Sequence, residues 1–419
     1  MRIIMNNKEE FKSIVIQACV NGKLTVKEAS IKLGFSERYV KKLKARFKSY
    51  GVQSMLHGNC GRQPAITIDP SIKSKIITIR KLPEYEECNT MQFMELLEEH
   101  HSIKISYSAL TNLLNQNGIK SPRKRRKTKI HNRRKRKDFF GELIQTDATP
   151  HEFFYGDNQK YSLHGFIDDA TGKVLGLYIC KNECMQGYLE ITRQMLTKYG
   201  IPSNIYADGS SIFFPINVKQ EVSLEDQLNG IVEPSTQYGR MMHELGITLI
   251  HAHSSQAKGR VERLWNTLHD RLRTEFRINN ITNLEDANAF LLKYIPKFNS
   301  KFAKKAKSNE SKFISLPKYV NLDYLLSVKE FRTIDASNSF SFNSKLFKID
   351  SKENFHKKRL TICISQKLGM KAYFNGKFYN VIPIDYTTNE ELDKKNSTYS
   401  IINNFVYFYC LKNERLSKI

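Results

Sequence analysis

The sequence lacks the features that mark secreted, membrane and metal-cluster proteins. Its seven cysteines are scattered over 419 residues without a CxxC pair, so neither a disulfide framework nor a zinc cluster is indicated. No apolar run approaches the roughly 18 to 20 residues that a membrane span requires, and the first residues lack the apolar stretch of a secretion signal. We therefore expect a cytoplasmic protein with reduced thiols and no membrane partner.

Acidic residues are few relative to basic ones. The 67 lysines and arginines outnumber 42 aspartates and glutamates, which gives a formal net charge of +25 and favours a polyanionic partner such as nucleic acid. Hydrophobic residues still make up 40% of the chain, which excludes a wholly disordered basic protein. The length exceeds what one hydrophobic core usually supports and predicts about two to four domains.

The first fifty residues fit a helix-turn-helix DNA-binding domain, 1–50. Thr25 and Glu28 form a capping box that opens a second helix, and Gly34 supplies the tight turn after it. Ser36 caps a third helix with apolar residues on its inner face and basic residues elsewhere. The basic residues predicted to contact DNA are Arg38, Lys41, Lys42, Lys44 and Arg46. The alternative is an ordinary helical hairpin with a solvated basic face.

A second helical unit is predicted farther along the chain. Glycines and prolines in 51–70 indicate an extended linker, and 71–119 then contains three helical patterns. Ser106 opens the last of these helices and Gly118 ends it. This unit is interpreted as a second, helix-turn-helix-like DNA-binding domain, or alternatively as purely architectural, because its last helix carries little charge.

The next segment, 120–138, is a basic linker. Twelve of the eighteen residues from Lys120 to Lys137 are lysine or arginine, so no core can form there. Such a block stays extended until phosphates neutralise it, and each phosphate contact contributes about −0.9 to the slope of log affinity against log salt. The predicted DNA-binding residues are Arg123, Lys124, Arg125, Arg126, Lys127, Arg133, Arg134, Lys135, Arg136 and Lys137. The alternative is a linker that is merely solvated.

From 139 to 300 the pattern alternates between strands and helices, which indicates a mixed α/β sheet. Strand patterns cover 142–146, 161–167, 173–180 and 204–207, with a helix near 184–199. Asp147 and Asp208 each end a predicted strand, where ligands collect in open α/β sheets. Asp168 and Asp169 are rival acids that we interpret as turn formers.

A third acid, Glu262, begins a helix with a buried apolar stripe that includes Trp265. At about 100° per residue, His269 and Arg273 share the face of Glu262. Three converging carboxylates are suited to two magnesium ions, since Mg²⁺ prefers oxygen ligands. The alternative is that these acids are solvated surface residues.

Several ordered motifs resemble one known family. They are Gln145–Phe154, Phe166–Gly172, Tyr206–Asp208, Thr236–Arg240 and Gln256–Arg263. Together they resemble the ISNCY-type bacterial insertion-sequence transposases of the DDE group, which have an integrase-like catalytic core. The resemblance runs from roughly residue 10 to residue 315. It implies a ribonuclease-H-like core in which Asp147, Asp208 and Glu262 are the catalytic, metal-binding triad, with Mg²⁺ as cofactor and Mn²⁺ as a possible substitute.

The same resemblance implies an activity and partners. The expected activity is cleavage of double-stranded DNA at the inverted-repeat ends and transfer of the 3′ ends into target DNA, by a homodimer or higher oligomer on DNA in the bacterial cytoplasm, associated with the nucleoid. Lys258, Arg260, His269 and Arg273 are expected to contact the DNA. A DNA-binding regulator with a catalytically silent core and a ribonuclease-H-type nuclease acting on hybrids are the alternatives.

The last part of the chain is predicted to be β-rich. A basic polar linker, 301–325, leads into a C-terminal domain, 326–419. The Asn375-Gly376 pair between two alternating segments, 370–374 and 377–381, is a strong hairpin signal. The expected fold is thus multidomain α/β, with helical N-terminal domains, a ribonuclease-H-like core and a small C-terminal β-barrel.

Overall fold

The computed structural model shows a mixed helix-and-sheet protein that divides into two compact units, 1–76 and 77–419. The residues that it describes are 7–56, 68–122, 135–215, 236–252, 259–343, 345–365 and 367–384. Within these ranges, every helix is too short or too polar to cross a membrane.

The first unit contains three helices and a following 3-10 turn. They are α1 (Asn7–Val20), α2 (Val26–Leu33), α3 (Glu37–Tyr50) and the turn Gly51–Met55. The Thr25 hydroxyl accepts from the Glu28 amide while the Glu28 carboxylate accepts from the Thr25 amide, so the predicted capping box is present. Gly34 is left-handed at φ 66°, as the tight turn requires. The predicted linker 51–70 begins as ordered structure, because Met55 is buried in the core of this unit.

The predicted second helical unit also has its three helices. They are α4 (Pro70–Arg80), α5 (Thr90–His101) and α6 (Tyr107–Gln116). Asn89 and Ser106 cap α5 and α6 by accepting from backbone amides three residues ahead. The inner face of α5 buries Phe93, Leu96 and Leu97.

A five-stranded sheet forms the centre of the second unit. Its strands are β1 (Ile144–His151), β2 (Tyr161–Asp168), β3 (Val174–Cys180), β4 (Asn204–Ala207) and β5 (Thr248–His251). The spatial order is β3-β2-β1-β4-β5. The first three strands are antiparallel, and β4 and β5 then run parallel to β1.

Helices cover both faces of this sheet. They are α7 (Met185–Lys198), α8 (Gln237–Glu244), α9 (Gly259–Ile278) and α10 (Leu284–Phe302). Alternate residues of β2 feed two cores: Leu163 and Ile167 pack with α9 and α10, whereas Phe166 packs with α7 and α8. The sheet is therefore buried on both sides.

The first strand differs from its prediction in a way that matters for the site. Asp147 lies inside β1 rather than at its end, because antiparallel pairing with β2 extends from Ile144 to His151. Parallel pairing with β4 covers only Ile144 and Gln145. Asp147 thus lies just beyond the point where β1 separates from β4.

The predicted linker 301–325 is packed against the sheet unit. Phe140 bridges to Ser311, and Ile201 bridges to Ile314. The Phe313 ring lies 4.8 Å from that of Phe140 and covers Gly141, where a Cβ atom would be 2.4 Å from the Phe313 ring. A short helix, α11 (Leu322–Leu325), follows.

The C-terminal region is a six-stranded antiparallel sheet. Its strands are β6 (Val328–Thr333), β7 (Ser339–Phe342), β8 (Lys345–Asp350), β9 (Arg359–Ser365), β10 (Gly369–Phe374) and β11 (Lys377–Pro383), in the order β6-β9-β10-β11-β8-β7. Asn375 and Gly376 both have positive φ, which confirms the predicted two-residue hairpin. The edge strands approach each other where Arg332 Nε donates to the Ser341 carbonyl over 3.2 Å. Residues 385–419 of the predicted domain lie outside the described residues.

Candidate active site

Two of the predicted acids lie side by side on neighbouring strands. Ile144 pairs with Ile205 and Gln145 with Tyr206, and continuing this parallel register aligns Asp147 with Asp208. Adjacent strands are about 4.8 Å apart. Both aspartates are half-buried. Because β1 and β4 separate after Gln145 and Tyr206, the two carboxylates lie side by side where these central strands diverge.

The third acid lies on the helix that contacts the first. Trp265 Nε1 donates to Asp147 Oδ2 over 3.1 Å, and Glu262 is one turn earlier on α9. The indole fits against β2 because residue 165 is glycine: a Cβ there would be 2.6 Å from the Trp265 ring. Glu262 is exposed, and its carboxylate accepts no hydrogen bond from the described residues. The sequence predicts Trp265 only as a core residue; its position three residues after Glu262 is the signal for this second role.

A buried phenol lies close to the two strand acids. Tyr188 is fully buried on α7, and its hydroxyl donates to Glu183 Oε1 over 2.7 Å. Burial raises the pKa of Tyr188, and the carboxylates of Glu183, Asp147 and Asp208 raise it further. Tyr188 therefore stays neutral beside these carboxylates, and their negative potential favours binding of a cation.

A histidine lies beside the second acid. A Cβ at Gly209 would be 2.6 Å from His251 Nε2, so the glycine after Asp208 makes room for this imidazole. The Phe214 ring lies 5.1 Å from the same imidazole. His253, two residues after this histidine, lies outside the described residues.

The donor set fits magnesium in chemistry, since all three side chains offer carboxylate oxygens. Within the described ranges, one group of three potential ligands has its atoms within 4.8 Å of one another, and that group is His164, Cys180 and Cys184. The three acids are more widely spaced than this.

The His164 group is part of the protein core. His164 Nε2 accepts from the Cys184 backbone amide over 3.2 Å, so the lone pair that a metal would need is already used. Burial lowers the pKa of His164 to about 4, which keeps it neutral. Residue 187 must be glycine for α7 to pack over this ring, because a Cβ there would be 2.5 Å from His164 Nδ1.

Two curated proteins are similar to the chain over most of its length. The transposase for insertion sequence IS1202 of Streptococcus pneumoniae is 33% identical, with 92% of this chain and 87% of that protein aligned. The chain belongs to the insertion-sequence transposase family. The putative transposase y4bF of Sinorhizobium fredii is 31% identical, over 84% of this chain and 75% of that protein.

No protein-family model matches this transposase. Among solved structures, an intasome of simian T-cell lymphotropic virus in complex with a PP2A regulatory subunit is 14% identical, covers 74% of this chain and 96% of its own, and has a TM-score of 0.31. The magnesium-bound HTLV-2 integrase catalytic core domain in its trimeric form is 18% identical, covers 37% and 84%, and has a TM-score of 0.26.

The rival acids of the transposase are buried in the β2–β3 turn. Asp168 accepts from the Thr171 amide and hydroxyl and from the Gly141 amide, and burial raises its pKa. Asp169 accepts from Gln145 and pairs with Arg260. Both carboxylates are thus engaged by hydrogen bonds and an ion pair inside the fold.

The cations predicted beside Glu262 have partners within the protein. Arg260 pairs with Asp169, and Arg273 Nε lies 3.1 Å from Glu87 Oε2. His269 stacks on His151 with ring centroids 4.1 Å apart, and burial lowers its pKa to about 4. Arg260 and Arg273 are therefore paired with carboxylates of other elements and His269 stacks on a second imidazole, and the contact of these residues with DNA stays a prediction. Lys258 lies outside them.

The other predicted DNA contacts differ in their surroundings. On α3, Arg38, Lys41, Lys42 and Arg46 are exposed, and Lys44 is half-buried. In the basic linker, Arg136 donates to the Ala170 carbonyl over 3.0 Å, Lys137 pairs with Glu142, and Lys135 is exposed. The residues Arg123, Lys124, Arg125, Arg126, Lys127, Arg133 and Arg134 lie outside the described ranges.

Proposed function

We propose that the chain is a DDE transposase of the ISNCY type, which binds the inverted repeats of its element, cleaves DNA and transfers the 3′ ends into target DNA. The observation that carries this proposal is the alignment of Asp147 with Asp208 on parallel strands, with Glu262 one turn from the tryptophan that contacts Asp147. The strand order β3-β2-β1-β4-β5 with helices on both faces supports a ribonuclease-H-like core.

The three carboxylates would hold Mg²⁺, or Mn²⁺ in its place. When bound, such ions lower the pKa of an attacking water or 3′-hydroxyl and stabilise the departing oxygen. The chain's own contribution is orientation: Trp265 fixes one oxygen of Asp147, and Tyr188 stays neutral beside the strand acids. Glu262 is exposed and so is accessible to a DNA strand.

DNA recognition is assigned to the basic regions outside the sheet. The exposed cations of α3 would contact the inverted repeat, and the basic linker 120–138 would bind phosphates between the helical domains and the core. Joining two ends needs at least two subunits, so a homodimer or higher oligomer would form on DNA, in the bacterial cytoplasm and associated with the nucleoid.

The test replaces each acid by its neutral isostere: Asp147→Asn, Asp208→Asn and Glu262→Gln. We expect each variant to bind DNA carrying the inverted repeats as the wild type does and to lose Mg²⁺-dependent cleavage and joining by at least about 1,000-fold. Glu310→Gln is the control, because that acid is exposed and far along the chain from the site. Joining by any of the three would refute the triad, and a wild type that binds the ends without cutting would indicate a regulator.

A further inference from the structure

A buried ion pair joins the start of α9 to the β2–β3 turn. Arg260 Nε lies 2.5 Å from Asp169 Oδ1, and the two side chains are 10% and 0% exposed. Asp169 also accepts from Gln145 Nε2 and from the Lys137 amide, each over 2.8 Å. These three donors hold the Asp169 carboxylate in one position and compensate its buried charge. Removing one of them therefore leaves part of that charge uncompensated.

Gln145 extends this arrangement to the first strand and back to α9. It is fully buried on β1, two residues before Asp147. While its Nε2 donates to Asp169, its Oε1 accepts from the Val261 amide over 3.4 Å. The amides of a helix's first turn have no partner within the helix, so Gln145 satisfies one of them from the neighbouring strand.

We propose that Gln145, Asp169 and Arg260 are positioning residues that hold the first turn of α9, and Glu262 with it, against β1. Glu262 follows Arg260 by two residues and Val261 by one, and its own carboxylate has no partner among the described residues. Its location is therefore set by the backbone of this turn, and the network connects that backbone to the strand that carries Asp147. The inference rests on the proposed function, in which these acids share metal ions.

Variants that neutralise Asp169, Arg260 or both distinguish a role in positioning Glu262 from a contribution to stability. Asp169→Asn and Arg260→Met each leave the other charge buried alone, so we expect both to lower the melting temperature. The double variant has neither charge and should regain much of the melting temperature. It still lacks the ion pair between the β2–β3 turn and α9. We therefore expect its affinity for Mn²⁺ alone and its cleavage of inverted-repeat DNA to stay about 10- to 100-fold below those of the wild type.

Another ion pair of the same unit provides the matched control. Lys329 Nζ lies 2.9 Å from Glu244 Oε2 between β6 and α8, with side chains 6% and 34% exposed. Lys329→Met combined with Glu244→Gln removes a buried pair without contacting Gln145, Asp169 or Arg260. We expect this variant to change the melting temperature and to leave Mn²⁺ affinity within about twofold of the wild type.

The outcomes distinguish the inference from the function on which it rests. Calorimetric titration with Mn²⁺, thermal melting and cleavage of end DNA are measured on the full chain of each variant. If the Asp169→Asn, Arg260→Met double variant regains Mn²⁺ affinity and cleavage together with its melting temperature, the network is structural only and the inference fails while the function stands. If the wild type binds end DNA but neither binds Mn²⁺ nor cuts, both fail.

Discussion

The two helices that carry predicted DNA contacts use their cations differently. On α3 the basic side chains other than Lys44 are exposed, whereas on α9 Arg260 and Arg273 pair with carboxylates of other elements. Both helices are amphipathic in sequence, and α3 carries six lysines and arginines against one acid, whereas α9 carries five arginines against three acids. Basic composition alone therefore does not identify a phosphate-binding face; the deciding factor is whether acids from distant parts of the chain reach it.

The acids that meet α9 and α10 come largely from the second helical unit. Arg271 donates to both oxygens of Glu95 over 2.7 and 3.0 Å, and Lys301 pairs with the same carboxylate. Lys297 pairs with Glu99. This unit thus has an acidic side that packs on the core, which supports an architectural role, and its predicted contact with DNA stays a prediction.

Within this comparison of two helices, the largest effect is expected from the exposed cations of α3. Arg38→Gln, Lys41→Gln and Lys42→Gln together should weaken binding to end DNA by about 100-fold at physiological salt. They should also lower the salt slope by about 0.9 for each phosphate that the variant no longer neutralises. The melting temperature should change little, because these side chains are exposed. Fluorescence anisotropy at several salt concentrations measures both the affinity and the slope.

Two control variants test whether net charge or the location of the cations determines DNA affinity. Removing Lys8, Lys23 and Lys27, exposed cations elsewhere in the same unit, changes net charge equally and should weaken binding far less. Arg273→Gln on α9 should leave DNA affinity within about twofold, since its guanidinium pairs with Glu87. Equally weakened binding in the two triple variants would mean that net charge, and no particular helix, determines affinity.

Features encoded by neighbouring residues were predictable from the sequence. The Thr25–Glu28 capping box, the Gly34 turn and the Asn375-Gly376 hairpin each depend on a few adjacent positions, and the structure confirms them. Asp147 was wrongly expected at a strand end, since the length of β1 depends on pairing with β2. The triad itself stays a prediction.

The surroundings of the site could not be predicted in the same way. Arg260 meets a carboxylate 91 positions away, and Trp265 donates to an acid 118 positions away. Helical periodicity gives the face on which such a side chain lies, but it does not give the partner that another element brings there. The cations of α9 were consequently expected to contact DNA.

The next largest effect concerns the contact between α9 and the first acid. Trp265→Phe keeps an aromatic ring on the buried face of α9 and removes the Nε1–H that donates to Asp147, so we expect cleavage to fall about 10-fold. Stability should fall by about 1 kcal/mol. Tyr161→Phe is matched to it, because it removes one aromatic donor to Asp157, a half-buried aspartate outside the proposed triad. Wild-type cleavage by Trp265→Phe would show that α9 does not orient Asp147.

The smallest expected effect is a pH dependence of stability from His269. Burial lowers the pKa of this imidazole from 6.5 to about 4, so between these values the unfolded chain binds a proton that the folded chain does not. Stability from this source therefore falls as the pH falls from about 7 to 5, by about 1 kcal/mol for a half-buried group. His269→Phe keeps the stack on His151 and should reduce the pH dependence by that amount in urea titrations at both pH values.

His100→Gln is the control for this measurement, because His100 is exposed. The buried His164 titrates equally in both proteins, so the difference between wild type and variant reports on residue 269 together with His151, whose imidazole stacks on it and whose pKa burial also lowers. An unchanged pH dependence in His269→Phe would mean that the folded chain binds a proton at residue 269 as readily as the unfolded chain does, so that this imidazole is charged below about pH 6.5. A charged His269 would add a cation to the face of Glu262, and α9 would then resemble α3 in what it offers to DNA.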